Sequence, residues 1–153
     1  MRVKEMMRTD VLTVGPKTDI VSIICLLVQT PLRLVYVVDE QRRLLGVISS
    51  VDLLKQIEPS YLDSNLAAAL PDDWEPSNHF LEEKKNVTAT EIMRTEFVPL
   101  KPDSTFPRAD CLLREKGINT LPVVDDSGRL LGEIGRWHAL RHLVRVFNLC
   151  GEA

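Results

Sequence analysis

The chain is written twice. Displaced by 86 residues, Glu5 falls on Glu91, Met7-Arg8-Thr9 on Met93-Arg94-Thr95, and Pro16 on Pro102. Cys25-Leu26-Leu27 then falls on Cys111-Leu112-Leu113, Val37-Val38-Asp39 on Val123-Val124-Asp125, and Arg43-Leu44-Leu45-Gly46 on Arg129-Leu130-Leu131-Gly132, with Ile48 and Leu54 on Ile134 and Leu140. Between residues 5–54 and 91–140 the identities are 17 in 50 without a gap. Chance gives about one in 15 to 20 at ordinary composition. A unit of about 50 residues buries too little apolar surface to stand alone, so the two copies are expected to pack as a pair.

Each copy reads β-α-β-β-α. In the first, Val11 to Val14 predicts a strand closed by Gly15-Pro16. Asp19 or Thr18 can cap a helix whose apolar positions, Ile20, Ile23, Ile24, Leu27 and Val28, recur at helical spacing, with Pro31 beyond its end. Leu34 to Val38 and Leu44 to Ser49 predict buried strands either side of a turn, and Ser49 can cap a helix over Ser50 to Ile57. The second copy predicts a strand at Phe97 to Leu100 and a helix from Pro107 to Glu115 stopping at Gly117. Strands at Leu121 to Val124 and Leu130 to Gly135 follow, joined by Asp125-Asp126-Ser127-Gly128, then a helix from Arg136 to Asn148. On that helix His138, Arg141, His142 and Arg145 form a basic stripe, expected in solvent opposite Leu140, Leu143, Val144 and Phe147. The fold class is therefore α/β (α+β), with repeats at residues 1–57 and 89–150. The connecting insertion, 58–88, has a predicted helix at Leu62 to Leu70, and Trp74 and Phe80 as anchors. It reads as a surface insertion, or else as a lid or partner-binding element.

Several classes of function find no support. The net charge is −3, which creates no overall field for nucleic acid or an acidic membrane. The longest apolar stretch is too short to span a bilayer, and no signal peptide is visible, so a cytoplasmic location is expected. Cys25, Cys111 and Cys150 form neither a disulfide framework nor a metal set, and the first two are expected to pack on apolar helix faces. No Gly-x-Ser-x-Gly, phosphate loop or His-Glu-x-x-His occurs, so no enzyme is expected.

The residues with useful chemistry lie in Gly46-Val47-Ile48-Ser49-Ser50-Val51-Asp52. A serine hydroxyl and a carboxylate three residues on share one helix N-terminus. Such a carboxylate can accept from two vicinal sugar hydroxyls, or the pair can simply cap the helix. The repeat, the Val-Val-Asp turn and this Ser-x-x-Asp segment together resemble the CBS domain, named after cystathionine β-synthase.

That resemblance implies a pseudo-twofold pair with clefts between the copies that bind AMP, ADP, ATP, S-adenosylmethionine or NAD, and a homodimer. It implies that Ser49 and Asp52 hold ribose, with Val47 beside the base and Val98, Ile118 and Asn119 lining the adenine pocket. Arg33 stands where it implies a phosphate-contacting residue, though it reads equally as a solvated strand-edge charge. In the second copy Gly135 and His138 replace the serine and aspartate, so the place formed by Gly135, Arg136 and His138 is expected to be degenerate. No metal is implied. The expected function is an energy-sensing regulatory module acting on another protein. The alternative is a ligand-free dimerising scaffold.

Overall fold

The computed structural model describes residues 1–58, 63–75 and 82–151. The first repeat forms α1 (Val3–Met6), β1 (Leu12–Val14), α2 (Ile20–Val28), β2 (Leu34–Val38), β3 (Leu44–Ser49) and α3 (Ser50–Ile57). After α4 (Ser64–Ala69), the second forms α5 (Ala89–Ile92), α6 (Phe106–Lys116), β4 (Thr120–Val124), β5 (Leu130–Gly135) and α7 (Arg136–Phe147). Local chemistry sets these boundaries. Asp19 Oδ1 accepts from Ser22 N at 2.9 Å to start α2, and Thr105 caps α6, with Pro107 in its first turn. Gly117, at φ +61°, ends α6 in the left-handed conformation that favours glycine. Of the helix expected at Leu62 to Leu70, α4 is what forms, with Asp63 as its cap. Leu62 and Phe80 lie outside the described residues, and Trp74 is partly exposed.

The chain divides into two compact units. One comprises Met1–Val11, Val38–Leu44 and Glu96–Ala153; the other comprises Leu12–Val37 and Leu45–Thr95. Each unit thus combines the body of one repeat with the lead segment of the other. The second unit buries Val14, Ile20, Ile23, Leu27, Val35, Val37, Ile48 and Leu53 together with Ala89 and Ile92. The first buries Leu100, Ala109, Leu113, Leu121, Val123, Ile134 and Ala139 together with Val3 and Met6. Every residue of this second list has its counterpart in the first at the 86-residue offset, and Phe106 packs where Ile20 does. The duplication is therefore a duplicated core, in which each fully buried aliphatic side chain contributes about 1.5–3 kcal/mol relative to exposure.

A glycine makes each exchange of lead segments sterically feasible. Val47 N donates to Arg94 O at 3.0 Å, and Arg94 N donates back to Val47 O at 2.9 Å. At the matched positions, Arg8 N donates to Glu133 O and Glu133 N to Arg8 O, both at 2.8 Å. A Cβ on Gly46 would lie 2.6 Å from Met93 Sδ, and one on Gly132 would meet the Arg8 carbonyl oxygen.

Three expectations are corrected. The strand expected at Phe97 to Leu100 is reduced to an isolated parallel bridge between Leu100 and Val123. In the first repeat, β1 pairs with β2 through Leu12↔Val35, Thr13↔Tyr36 and Val14↔Val37. The offset turns the middle pair into Pro99 and Pro122, neither of which has an N–H to give, so only the Leu100 end is bonded. Second, α7 buries Ala139 and His142, while Trp137, Leu140, Val144 and Phe147 are exposed. The expected basic stripe is thus split, with His142 turned inward and the apolar residues outward. Third, Cys25 and Cys111 are exposed and unpaired, as is Cys150. On α2 the buried stripe runs through Ile20, Ile23 and Leu27, and Cys25 falls on the other side.

Gly46→Ala and Gly132→Ala are both expected to destabilise by the cost of overpacking, about 1–3 kcal/mol in urea denaturation. Gly132→Ala should cost more, because it confronts a backbone carbonyl held in a bridge, whereas Met93 can move part of its side chain.

Candidate functional site

The N-terminus of α3 is a closed polar cluster. Ser49 N donates to Asp52 Oδ2 at 2.8 Å, and Ser49 Oγ donates to the same oxygen at 2.9 Å. Asp52 N approaches Ser49 Oγ at 3.4 Å, completing a reciprocal capping box. The carboxylate also forms an ion pair with Arg94, whose Nε lies 3.2 Å from the same Oδ2. Three partners on one oxygen hold the group in a fixed orientation and leave Oδ1 without a described partner. The Asp52 side chain is 13% exposed, so it is sheltered but still reachable. Ser49 and Asp52 are thus brought together as expected.

Arg94 is the residue that sequence reasoning missed. Its backbone pairs with Val47, and Gly46 admits the neighbouring Met93, so the guanidinium is delivered directly to the Asp52 carboxylate. The signal lay in the repeat itself, where Arg94 is one of the identities, matched with Arg8.

The equivalent place in the second repeat has different chemistry. Gly135 N donates to His138 Nδ1 at 2.9 Å, so the imidazole takes the place of the Asp52 carboxylate in capping α7. An accepting Nδ1 requires the neutral ring with its proton on Nε2. Burial, then the positive charges of Arg8 and Arg141, hold the His138 pKa below its ordinary value. Arg8, the counterpart of Arg94, turns to its own neighbour: Nε donates to Asp10 O at 2.7 Å, and Nη2 lies 3.6 Å from Asp10 Oδ2. A serine could not simply be restored at 135, because a Cβ there would lie 2.7 Å from Asn119 O and 3.1 Å from Thr120 Oγ1. Arg136 Nη2 donates to Leu113 O at 3.4 Å, tying the start of α7 to α6.

Of the other sequence-derived residues, Val47 is buried in its own unit and Arg33 is exposed just before β2. Val98 and Ile118 are half-buried, and Asn119 is exposed beside Gly135. Among the described residues no cluster of His, Cys, Asp or Glu could hold a metal ion. Nor is any described helix long and apolar enough to cross a membrane.

The family model for the CBS domain matches residues 3–59 and 89–145. The chain therefore belongs to the CBS domain family and carries two repeats of it. Among its relatives is the uncharacterized protein MJ1426 of Methanocaldococcus jannaschii, 28% identical over 94% of this chain and 92% of that one. Another is the chloroplastic CBS domain-containing protein CBSX2 of Arabidopsis thaliana, 27% identical over 91% of this chain but only 61% of its own length. The crystal structure of CBSX2 in complex with AMP superposes with a TM-score of 0.73 at 22% identity, covering 95% of this chain and 98% of that one. The CBS pair of protein MJ0100, in complex with 5′-methylthioadenosine and S-adenosyl-L-methionine, does so at 0.66 and 22% identity, covering 97% and 96%. These likenesses show the fold: a mixed α/β CBS pair.

His138 makes stability depend on pH. Its pKa is lower in the folded chain than in the unfolded, where it is about 6.5, so acidification protonates the unfolded state first. Its stabilising contribution is complete above that value and is lost as pH falls through it towards the folded pKa. Against His138→Asn, which keeps an acceptor that does not titrate here, the wild-type stability advantage in urea is expected to shrink between pH 7.5 and pH 5.

Proposed function

We propose that the chain is a regulatory module that binds one adenine nucleotide per chain at the first repeat and controls a partner protein through that occupancy. The observation that carries this reading is the contrast between the two caps. Asp52 is a fixed carboxylate whose Oδ1 has no described partner, next to a cation. At the matched place in the second repeat there is a neutral imidazole already committed to its helix, and no room for a serine. In this reading Ser49 and Asp52 hold the ribose, Val47 lies by the base and Arg33 serves the phosphate. Val98, Ile118 and Asn119 are proposed as further base contacts. The Gly135, Arg136 and His138 place is proposed not to bind a nucleotide. The ligand classes carried by similar CBS pairs, AMP in CBSX2 and 5′-methylthioadenosine with S-adenosylmethionine in MJ0100, support an adenosine moiety. AMP, ADP and ATP are preferred, with S-adenosylmethionine and NAD as the remaining candidates. The exposed free thiols suit a reducing compartment such as the cytoplasm.

A second reading, an interaction scaffold, is favoured by the uncovered apolar residues of the two last helices. Val51 and Leu54 of α3 and their counterparts Trp137 and Leu140 of α7 are all more than half exposed, and Val146 and Phe147 extend the α7 strip. The α7 strip by itself suits a second copy of the chain, and a homodimer is compatible with either reading.

Isothermal titration with AMP, ADP, ATP, S-adenosylmethionine and NAD is expected to show one of them binding at about one per chain. Asp52→Ala should lose about tenfold or more in affinity, because it removes a charged hydrogen-bond acceptor. If none of the five binds the folded protein, the sensor reading falls and the scaffold stands. For the dimer, Trp137→Glu with Leu140→Glu is expected to lower the sedimentation coefficient to that of a monomer. An unchanged coefficient in a dimeric protein would place the interface elsewhere.

A further inference from the structure

We infer that Arg94 reads the phosphate of the ligand, so that the site accepts an anionic adenine nucleotide in strong preference to neutral adenosine. The inference rests on the nucleotide reading of the first repeat and adds a selectivity to it.

Arg94 touches Asp52 only through Nε, at 3.2 Å. Neither Nη group has a described partner and the side chain is 55% exposed, so its four terminal N–H donors remain uncommitted beside the carboxylate proposed for ribose. As a contribution to stability the pair is weak, because a half-exposed ion pair contributes about 0–1 kcal/mol. As a positioning device it is effective. The Val47–Arg94 backbone bridge fixes the Cα, and the ion pair holds the guanidinium beside the carboxylate. In a 5′-nucleotide the phosphate is joined to the ribose by a single methylene. A sugar held at Asp52 therefore brings its phosphate into the vicinity of this group, whose paired donors match phosphate oxygens.

The second repeat provides the internal control. Arg8, at the matched position and on the matched backbone bridge, spends its Nε on Asp10 O and an Nη on Asp10 Oδ2, and makes no described hydrogen bond or ion pair with His138. Of these two arginines, only Arg94 is paired with the capping carboxylate and keeps both Nη groups without a described partner.

The test is titration of wild type, Arg94→Gln and Arg94→Lys with AMP and with adenosine, at low and at high salt. Wild type is expected to prefer AMP, with a preference that declines as salt rises. Arg94→Gln should weaken AMP by about tenfold or more while leaving adenosine within about twofold, and Arg94→Lys should fall between. Equal weakening of both compounds would reduce Arg94 to a support for Asp52 and overturn the inference. So would unchanged AMP binding, although the nucleotide site would then stand. If wild type binds neither compound, the nucleotide reading falls, and this inference with it.

Discussion

Two backbone bridges organise this chain: Val47 with Arg94 and Arg8 with Glu133. Each joins the lead segment of one repeat to the second hairpin strand of the other, and each depends on a neighbouring glycine, Gly46 or Gly132, that leaves space for the incoming segment. Without the exchange, neither core would contain its short lead helix, which supplies Ala89 and Ile92 to one unit and Val3 and Met6 to the other. A repeat of about 50 residues is too small to discard those contributions. The same bridge fixes the backbone of Arg94 at the helix start where Asp52 lies. Core and candidate site thus share one structural device.

The symmetry of the cores makes the asymmetry of the caps informative. Both last helices begin with a hydrogen bond from the N–H of the cap residue to the side chain of the third helical residue, returned by a side chain only at Ser49 because Gly135 has none. What differs is what remains for a ligand. An ionised carboxylate with two hydrogen-bond donors and an ion pair on one oxygen retains the capacity of the other oxygen. A neutral imidazole that accepts at Nδ1 has no acceptor left, so it cannot receive two sugar hydroxyls. The cation at the matched position of each repeat is the same residue type, but Arg8 has a local partner in Asp10 and Arg94 retains its terminal donors. Sequence drift at a few positions has turned equivalent places into chemically different ones.

Much of this was legible beforehand, for definite reasons. The helices and strands of the first repeat follow from caps and apolar spacing, and Ser49 and Asp52 meet because a three-residue offset at a helix start brings them together regardless of tertiary context. What remained hidden depended on partners distant in sequence. The Arg94–Asp52 pair requires the segment exchange, which no local pattern announces. The strand expected near Val98 fails because Pro99 faces Pro122, a coincidence visible only once the register is known. The orientation of α7 does not follow from its polar stripe because that stripe contains histidines, which bury readily when given a hydrogen-bond partner. His142 lies 3.2 Å from Arg145 Nη2 through Nδ1, and Ala139 beside it is small enough to sit against the core.

The central claim is that one cap of the pair can hold a ribose and the other cannot. A crystal structure of the chain grown with saturating AMP tests it most directly. The expected result is a sugar whose vicinal hydroxyls donate to Asp52, with His138 still accepting from Gly135 N and no ribose against it. A ribose held at Gly135 and His138, or nucleotide bound with Asp52 untouched, would contradict the account.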